Sequence, residues 1–228
     1  MSGRRKRGMK VDRRSFLKTV GIGLAAAPMQ GSSAAGATRS LNRPNVILVL
    51  TDDQGYGDLG CHGNPWLKTP HLDTFYTQSL RLTNFHASPL CSPSRASLMT
   101  GRHCSHVGVT GTNNGTNLLS RDAPTIAEVF AANGYRTGHF GKWHLGDNYP
   151  YRPHDRGFQE AIYHGNGAIT SVGDIDWNND YFDDVYAHNG RKTRYQGYCT
   201  DVWFREAMRF IEADKDTPFF CYVPTNAP

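Results

Sequence analysis

The chain has 228 residues, room for one well-buried domain with extensions, and carries 25 Lys and Arg against 20 Asp and Glu. The net charge of +5 invites a nucleic-acid partner, but eight basic residues and only one acidic residue fall within residues 1–37. The remainder holds 17 basic and 19 acidic side chains, so no basic surface for nucleic acid survives.

Residues 1–37 read as an export signal. A basic start leads to Asp12-Arg13-Arg14-Ser15-Phe16-Leu17-Lys18, then to an apolar stretch from Val20 to Ala27, and then to small residues ending in Ala35-Gly36-Ala37. The last three fit an A-x-A cleavage pattern, and the apolar stretch is too short to span a bilayer as a helix. The paired arginines resemble a twin-arginine signal, which carries folded proteins across the bacterial inner membrane. The expectation is a periplasmic or secreted protein that meets the twin-arginine export machinery. Residues 38–43 then read as a linker, and 44–228 as the folded domain.

Along the rest of the chain, Pro44 to Leu50 is a continuous apolar, β-branched run, which predicts a buried strand of a parallel sheet. Thr69 to Leu80 predicts a helix with Thr69 as cap, Pro70 in the first turn, and Leu72, Phe75, Tyr76 and Leu80 on its inner face. Arg81 to His86 alternates like a strand. Ala123 to Asn133 predicts a helix opened by Pro124, with Ile126, Val129 and Phe130 inward and Gly134 closing it. A short strand follows at Tyr135 to Phe140. Residues 150–198, rich in Gly, Asn, Asp, Tyr and His, read as irregular excursions that shape a pocket. Thr200 to Ala213 predicts a helix and Phe219 to Val223 a strand. Helices alternating with strands imply an α/β protein, layered around a mostly parallel sheet.

Three clusters carry chemistry. Asp52-Asp53 follows the first strand, at the carboxyl edge where such sheets bind ligands. Adjacent carboxylates there suit a hard divalent cation with oxygen ligands, or else a solvated turn. Cys91-Ser92-Pro93-Ser94-Arg95-Ala96-Ser97-Leu98-Met99-Thr100-Gly101-Arg102 places Cys91 at the mouth of a helix, with Pro93 in its first turn and Gly101 at its end. Cys91 would sit among unpaired N–H groups at the positive end of the helix dipole, and Arg95, one turn on, shares its face. Lys142 and His144 stand two apart on extended backbone and share a face as well. The other histidines lack metal-ligand spacing. His164, in Tyr163-His164-Gly165-Asn166, lies in the pocket-forming region and is a candidate substrate contact. Trp66, Trp143, Trp177 and Trp203 read as packing residues rather than sugar platforms.

The run C-x-P-x-R followed by A-S-L-M-T-G-R resembles the signature of the type I sulfatases. The blocks around Asp52-Asp53-Gln54-Gly55-Tyr56-Gly57-Asp58 and Gly141-Lys142-Trp143-His144-Leu145-Gly146 are similar to two others of that family. The resemblance extends from about Pro44 to Pro228. It implies an alkaline-phosphatase-like three-layer α/β/α fold and hydrolysis of sulfate esters, R–O–SO₃⁻, to an alcohol and sulfate. It also implies that a formylglycine-generating enzyme converts Cys91 to Cα-formylglycine before export. One calcium ion would be held by Asp52, Asp53 and residue 91. Arg95 would steady residue 91, Lys142 would contact it and the sulfate, and His144 would take part in releasing sulfate from it. The substrate would be a sulfated small molecule or glycan.

The family pattern also needs a second pair of metal ligands, another Lys and a His to protonate the leaving group. None of these falls within residues 1–228, so this chain by itself is expected to hold calcium weakly and to be inactive or poorly folded. A phosphonate or phosphate monoester hydrolase of the same superfamily stays open as an alternative, although simple phosphatases there use Ser or Thr in place of Cys91. A non-catalytic fragment that binds sulfated glycans stays open too. Five cysteines are odd for an exported chain. With Cys91 converted, Cys61, Cys104, Cys199 and Cys221 remain as thiols or as up to two disulfides.

Overall fold

A computed structural model describes residues 43–113, 116–169 and 180–228. The export signal, nearly all of the linker and Trp177 lie outside the described residues. Residues 42–228 form one compact unit.

Its centre is a six-stranded sheet: β1 (Val46–Leu50), β2 (Arg136–Lys142), β3 (Glu160–His164), β4 (Val185–His188), β5 (Arg191–Arg194) and β6 (Phe219–Pro224), in the spatial order β1-β6-β2-β3-β4-β5. The four strands β1, β6, β2 and β3 run parallel, and β4 and β5 are antiparallel additions. Parallel neighbours need long crossovers, which is why β1 and β2 flank a strand that comes last in the chain. Among the described residues four α-helices accompany the sheet: α1 (Pro70–Gln78), α2 (Cys91–Thr100), α3 (Ile126–Ala132) and α4 (Cys199–Ala213).

The sheet is covered on both faces. Ala96 and Met99 of α2 and Ala127 of α3 pack with Ala161, Tyr163, Phe220 and Tyr222, while Val46, Leu48 and Leu50 join from β1. On the opposite face Cys199, Val202, Trp203, Ala207 and Phe210 of α4 pack with Phe140, Ile162, Phe219, Cys221 and Val223. The alternation along β6, Phe220 and Tyr222 one way and Phe219, Cys221 and Val223 the other, is the period-two signature of a strand buried on both sides. The result is the expected three-layer α/β/α arrangement. Each large side chain so buried stabilises the fold by about 1.5–3 kcal/mol.

Several expectations are corrected. β1 is parallel, as expected, but Ile47 and Val49 are exposed, because β1 ends the strand order and only its other face meets a helix layer. Arg81 to His86 forms no regular strand. Leu82 and Phe85 are exposed, and no neighbouring strand among the described residues offers that segment backbone partners. The apolar face of α1 is exposed at Leu72 and Phe75, as is Leu80 beyond it. α3 begins three residues later than expected: Thr125 is its cap and accepts from Glu128 N, while Glu128 accepts from Thr125 N. This reciprocal pair outweighs the helix-opening tendency of Pro124. Residues 150–198 are more regular than their composition suggests, since they supply β3, β4 and β5. Trp143 and Trp203 are buried, as packing residues should be, whereas Trp66 is exposed. All five cysteines are free thiols.

Candidate functional site

The carboxyl ends of β1, β2 and β6 bring three distant segments together. Asp52 lies two residues past β1, Lys142 ends β2, and Thr225 follows β6. Arg95 reaches them from α2, where it is almost fully buried. Lys142 Nζ lies 2.6 Å from Asp52 Oδ2, and Arg95 Nη2 lies 3.0 Å from Asp52 Oδ1. Arg95 also donates through Nη1 to the Lys142 carbonyl at 2.7 Å and through Nη2 to the Thr225 carbonyl at 3.2 Å. Burial alone would raise the Asp52 pKa, but the charges and hydrogen bonds of Arg95 and Lys142 outweigh it and hold the carboxyl below its ordinary range. Two cations on one carboxylate leave the cluster with a net positive charge.

The sequence places Cys91 where expected, as the first residue of α2. Gly101 ends that helix in the left-handed conformation at φ 65°, returning its N–H to Ser97 O. Cys91 Sγ is 3.2 Å from His144 Nδ1. His144 Nε2 is 2.8 Å from the Thr112 carbonyl. A carbonyl can only accept, so Nε2 carries the proton and Nδ1 presents a lone pair to residue 91. Burial pushes the His144 pKa down to about 4, opposed by the Thr112 carbonyl and reinforced by Lys142 and Arg95. The imidazole is therefore neutral at pH 7, poised to accept a proton.

Local backbone shapes this pair. His144 itself adopts φ 60°, a conformation that non-glycine residues hold only where their surroundings fix it. Gly141 has φ 132°, and a Cβ there would collide with the Pro224 carbonyl, so glycine is what lets β2 approach the end of β6. A Cβ at Gly167 would run into the His144 ring, making that loop the wall against which the imidazole rests.

Lys142 and His144 reach different partners: the ammonium goes to Asp52 and the imidazole to Cys91. Trp143 between them enters the core and donates Nε1–H to the Tyr151 carbonyl at 2.8 Å. Arg95 differs from a guanidinium held ready for an oxyanion, because both its terminal nitrogens are engaged in the interior. His164 pairs in register with Lys142, is fully buried, and donates Nδ1–H to the Gly165 carbonyl at 3.1 Å. It is a buried neighbour of the cluster rather than a group open to substrate. Thr225 and Thr112 were not legible as site residues, since each contributes only a backbone carbonyl.

Calcium fits the described residues poorly. Both Asp52 oxygens are engaged by cations, Asp53 is exposed on left-handed backbone at φ 54°, and Cys91 Sγ meets His144. Among the described residues no three His, Cys, Asp or Glu side chains gather where an ion could sit. Calcium takes six to eight oxygens, so Asp52, Asp53 and residue 91 do not form its site by themselves. The formylglycine expected at residue 91 fits better: that side chain lies at a helix mouth, half-buried, facing the acceptor nitrogen of a neutral imidazole.

The fold and this cluster define a buried, charged site at the carboxyl edge of a mostly parallel sheet. The Sulfatase family model matches residues 44–228, and the chain belongs to that family. Arylsulfatase G of Mus musculus is 41% identical over 150 residues, covering 63% of this chain and 28% of that protein. Arylsulfatase A of Homo sapiens is 42% identical over 140 residues, covering 58% of this chain and 24% of that protein. The solved structure of Ps i-CgsB in complex with k-i-k-neocarrahexaose superposes with a TM-score of 0.68 at 29% identity, covering 82% of this chain and 45% of that one. The fold is therefore the alkaline-phosphatase-like fold of sulfatases. The chain spans less than a third of these curated relatives and under half of that solved structure.

Proposed function

We propose that this chain carries the nucleophile-bearing part of a sulfate-ester hydrolase acting on a sulfated small molecule or glycan. The observation that supports it most is the contact of Cys91 Sγ with the unprotonated Nδ1 of His144, beside the buried Lys142–Asp52–Arg95 cluster. Formylglycine at residue 91, when present, supplies a hydrated aldehyde whose hydroxyl can attack sulfur.

The chain's own residues then have separable tasks. His144 Nδ1 accepts a proton from the side chain of residue 91, with the Thr112 carbonyl fixing the tautomer. Lys142 and Arg95 keep the neighbourhood of residue 91 electropositive, which favours an anionic sulfate monoester and the charge that grows on its oxygens. Asp52 neutralises part of that charge and holds both cations in place.

The neighbour structures support a sulfated glycan. One, at 28% identity and TM-score 0.68, is in complex with its substrate D-glucosamine-2-N,6-O-disulfate. Residues 1–37 fit the same reading, as a twin-arginine leader that delivers an already modified protein to the periplasm or beyond.

Mass spectrometry of the residue-91 peptide from protein made in its native host tests the proposal. An aldehyde at residue 91 is expected. An intact thiol would overturn the reading in favour of a non-catalytic module. Turnover of matched sulfate and phosphonate esters of one aryl alcohol then decides between sulfatase and phosphonate hydrolase, with the sulfate ester expected to be the faster.

A further inference from the structure

The residues after β6 lie across the site and are fastened from the far side of the sheet. Thr225 N donates to the Leu50 carbonyl at 2.8 Å, and Asp52 N donates to the Ala227 carbonyl at 3.4 Å. Thr225 Oγ1 donates to the Ala227 carbonyl at 2.6 Å, closing the segment on itself. The Thr225 carbonyl in turn accepts from Arg95 Nη2. Residues 225–227 thus form a strap whose carbonyls touch both the guanidinium and the backbone of the acid it pairs with.

Asn226, in the middle of the strap, turns to α4. Trp203 donates Nε1–H to Asn226 Oδ1 at 2.8 Å, and Asn226 Nδ2 donates to Cys199 Sγ at 3.5 Å. Cys199 and Trp203 are four residues apart on one helix and both fully buried, so they present an acceptor and a donor on the same face. An amide supplies the complementary donor and acceptor in one group, which a carboxylate or an aliphatic side chain cannot. Neither Cys199 nor Trp203 touches Asp52, Arg95 or Lys142 in any hydrogen bond of the structure.

We propose that Asn226 is a positioning residue: gripped by Cys199 and Trp203, it fixes the 225–227 strap and through it the placement of Asp52 and Arg95. The catalytic consequence rests on the sulfate-ester reading, whereas the mechanical one does not.

Amide hydrogen exchange separates the two. In Asn226→Ala and in Trp203→Phe, exchange at the Asp52 and Thr225 amides is expected to rise roughly tenfold or more, while amides shared by β2 and β3 stay within about twofold. Cys199→Ser keeps an acceptor for Nδ2 and should stay within about twofold throughout. With an aryl sulfate, kcat should fall about tenfold in the first two variants with KM within about twofold, the pattern of a lost transition-state interaction. Unchanged exchange at Asp52 and Thr225 in both variants would overturn the proposal. So would an increase spread evenly over β2 and β3, which marks simple loss of stability. An unchanged kcat in an active enzyme would overturn it as well. If residue 91 of protein from the native host carries an intact thiol while the exchange effect holds, the strap assignment stands and the sulfate-ester reading falls.

Discussion

Lys142 Nζ and Asp52 Oδ2 lie 2.6 Å apart across a sequence separation of 90 residues, joining the end of β2 to the turn after β1. With Arg95 on the other oxygen, three almost fully enclosed charged groups depend on one carboxylate. Removing one partner of such a group leaves charge in a place where water cannot compensate, and that is worse than never having buried it.

Asp52→Asn should therefore destabilise the fold by about 3–5 kcal/mol, because it strands two buried cations at once. Lys142→Met should cost less, since Arg95 still neutralises Asp52. Urea unfolding of the two variants, compared at equal m-values, measures the difference. Equal midpoints would show that Lys142 and Arg95 are not sharing one anion.

Gly167→Ala tests the wall behind His144. A methyl group there overlaps the imidazole, so the ring must move away from residue 91 or the loop must shift. Misplacement by about 1 Å can lower a rate roughly a hundredfold. The expected outcome is a large fall in aryl-sulfate turnover with residue 91 still converted to the aldehyde and the unfolding midpoint little changed. Unaltered turnover would mean that the loop at Gly167 does not hold the imidazole against residue 91.

Thr125→Ala tests how α3 is set. Thr125 Oγ1 accepts from Glu128 N at 3.1 Å and donates to the Arg156 carbonyl at 2.8 Å, so the change removes a cap and leaves a buried carbonyl without a donor. A loss of about 1–2 kcal/mol is expected in thermal or urea unfolding, and a loss within error would mean that Glu128 alone holds the helix start.

The sequence made the chemistry more legible than the architecture around it. Cys91, Pro93 and Gly101 declared a helix with Cys91 at its mouth, because N- and C-terminal helix chemistry is local. Lys142 and His144 were legible through their block, but their separate partners were not, since Asp52 and Thr112 lie far off in sequence. The strands in 160–194 were hidden for a related reason. Arg191-Lys192-Thr193-Arg194 is polar throughout and becomes a strand only because β4 offers it backbone partners. Arg81 to His86 shows the reverse, with alternation and no partner. The carbonyls of Thr112 and Thr225 carry no side-chain signal, so only the fold could bring them to the site.

His139 and His164, with His144, make the fold sensitive to acid. His139 and His164 are fully enclosed, and burial pushes each pKa down to about 3. Arg95 and the other histidine reinforce this for His139, and the carbonyls of His139 and Lys142 offset only part of it. For His164 the Gly165 carbonyl opposes the shift, while Lys142 and Arg95 strengthen it. In the unfolded chain both titrate near 6.5, so between about pH 6.5 and 3 the unfolded state binds protons that the folded state excludes. Their neutral forms therefore contribute fully above about pH 6.5, and that contribution is lost as the pH falls. Each histidine approaches a slope of about 1.4 kcal/mol per pH unit once its unfolded form is protonated, so the pair removes about 3 kcal/mol between pH 6.5 and 5, a large part of an ordinary domain's stability. His139 stands edge-on to Trp143, Phe158 and Tyr222, with neither ring nitrogen in hydrogen-bonding geometry. His139→Phe should accordingly leave stability at pH 7.5 equal or higher and reduce the slope below pH 6.5 by about a third, because His144 is depressed as well. Urea midpoints at pH 7.5, 6 and 5 measure both. A slope unchanged by the substitution would assign the acid sensitivity to other groups and would show that His139 is protonated inside the folded protein.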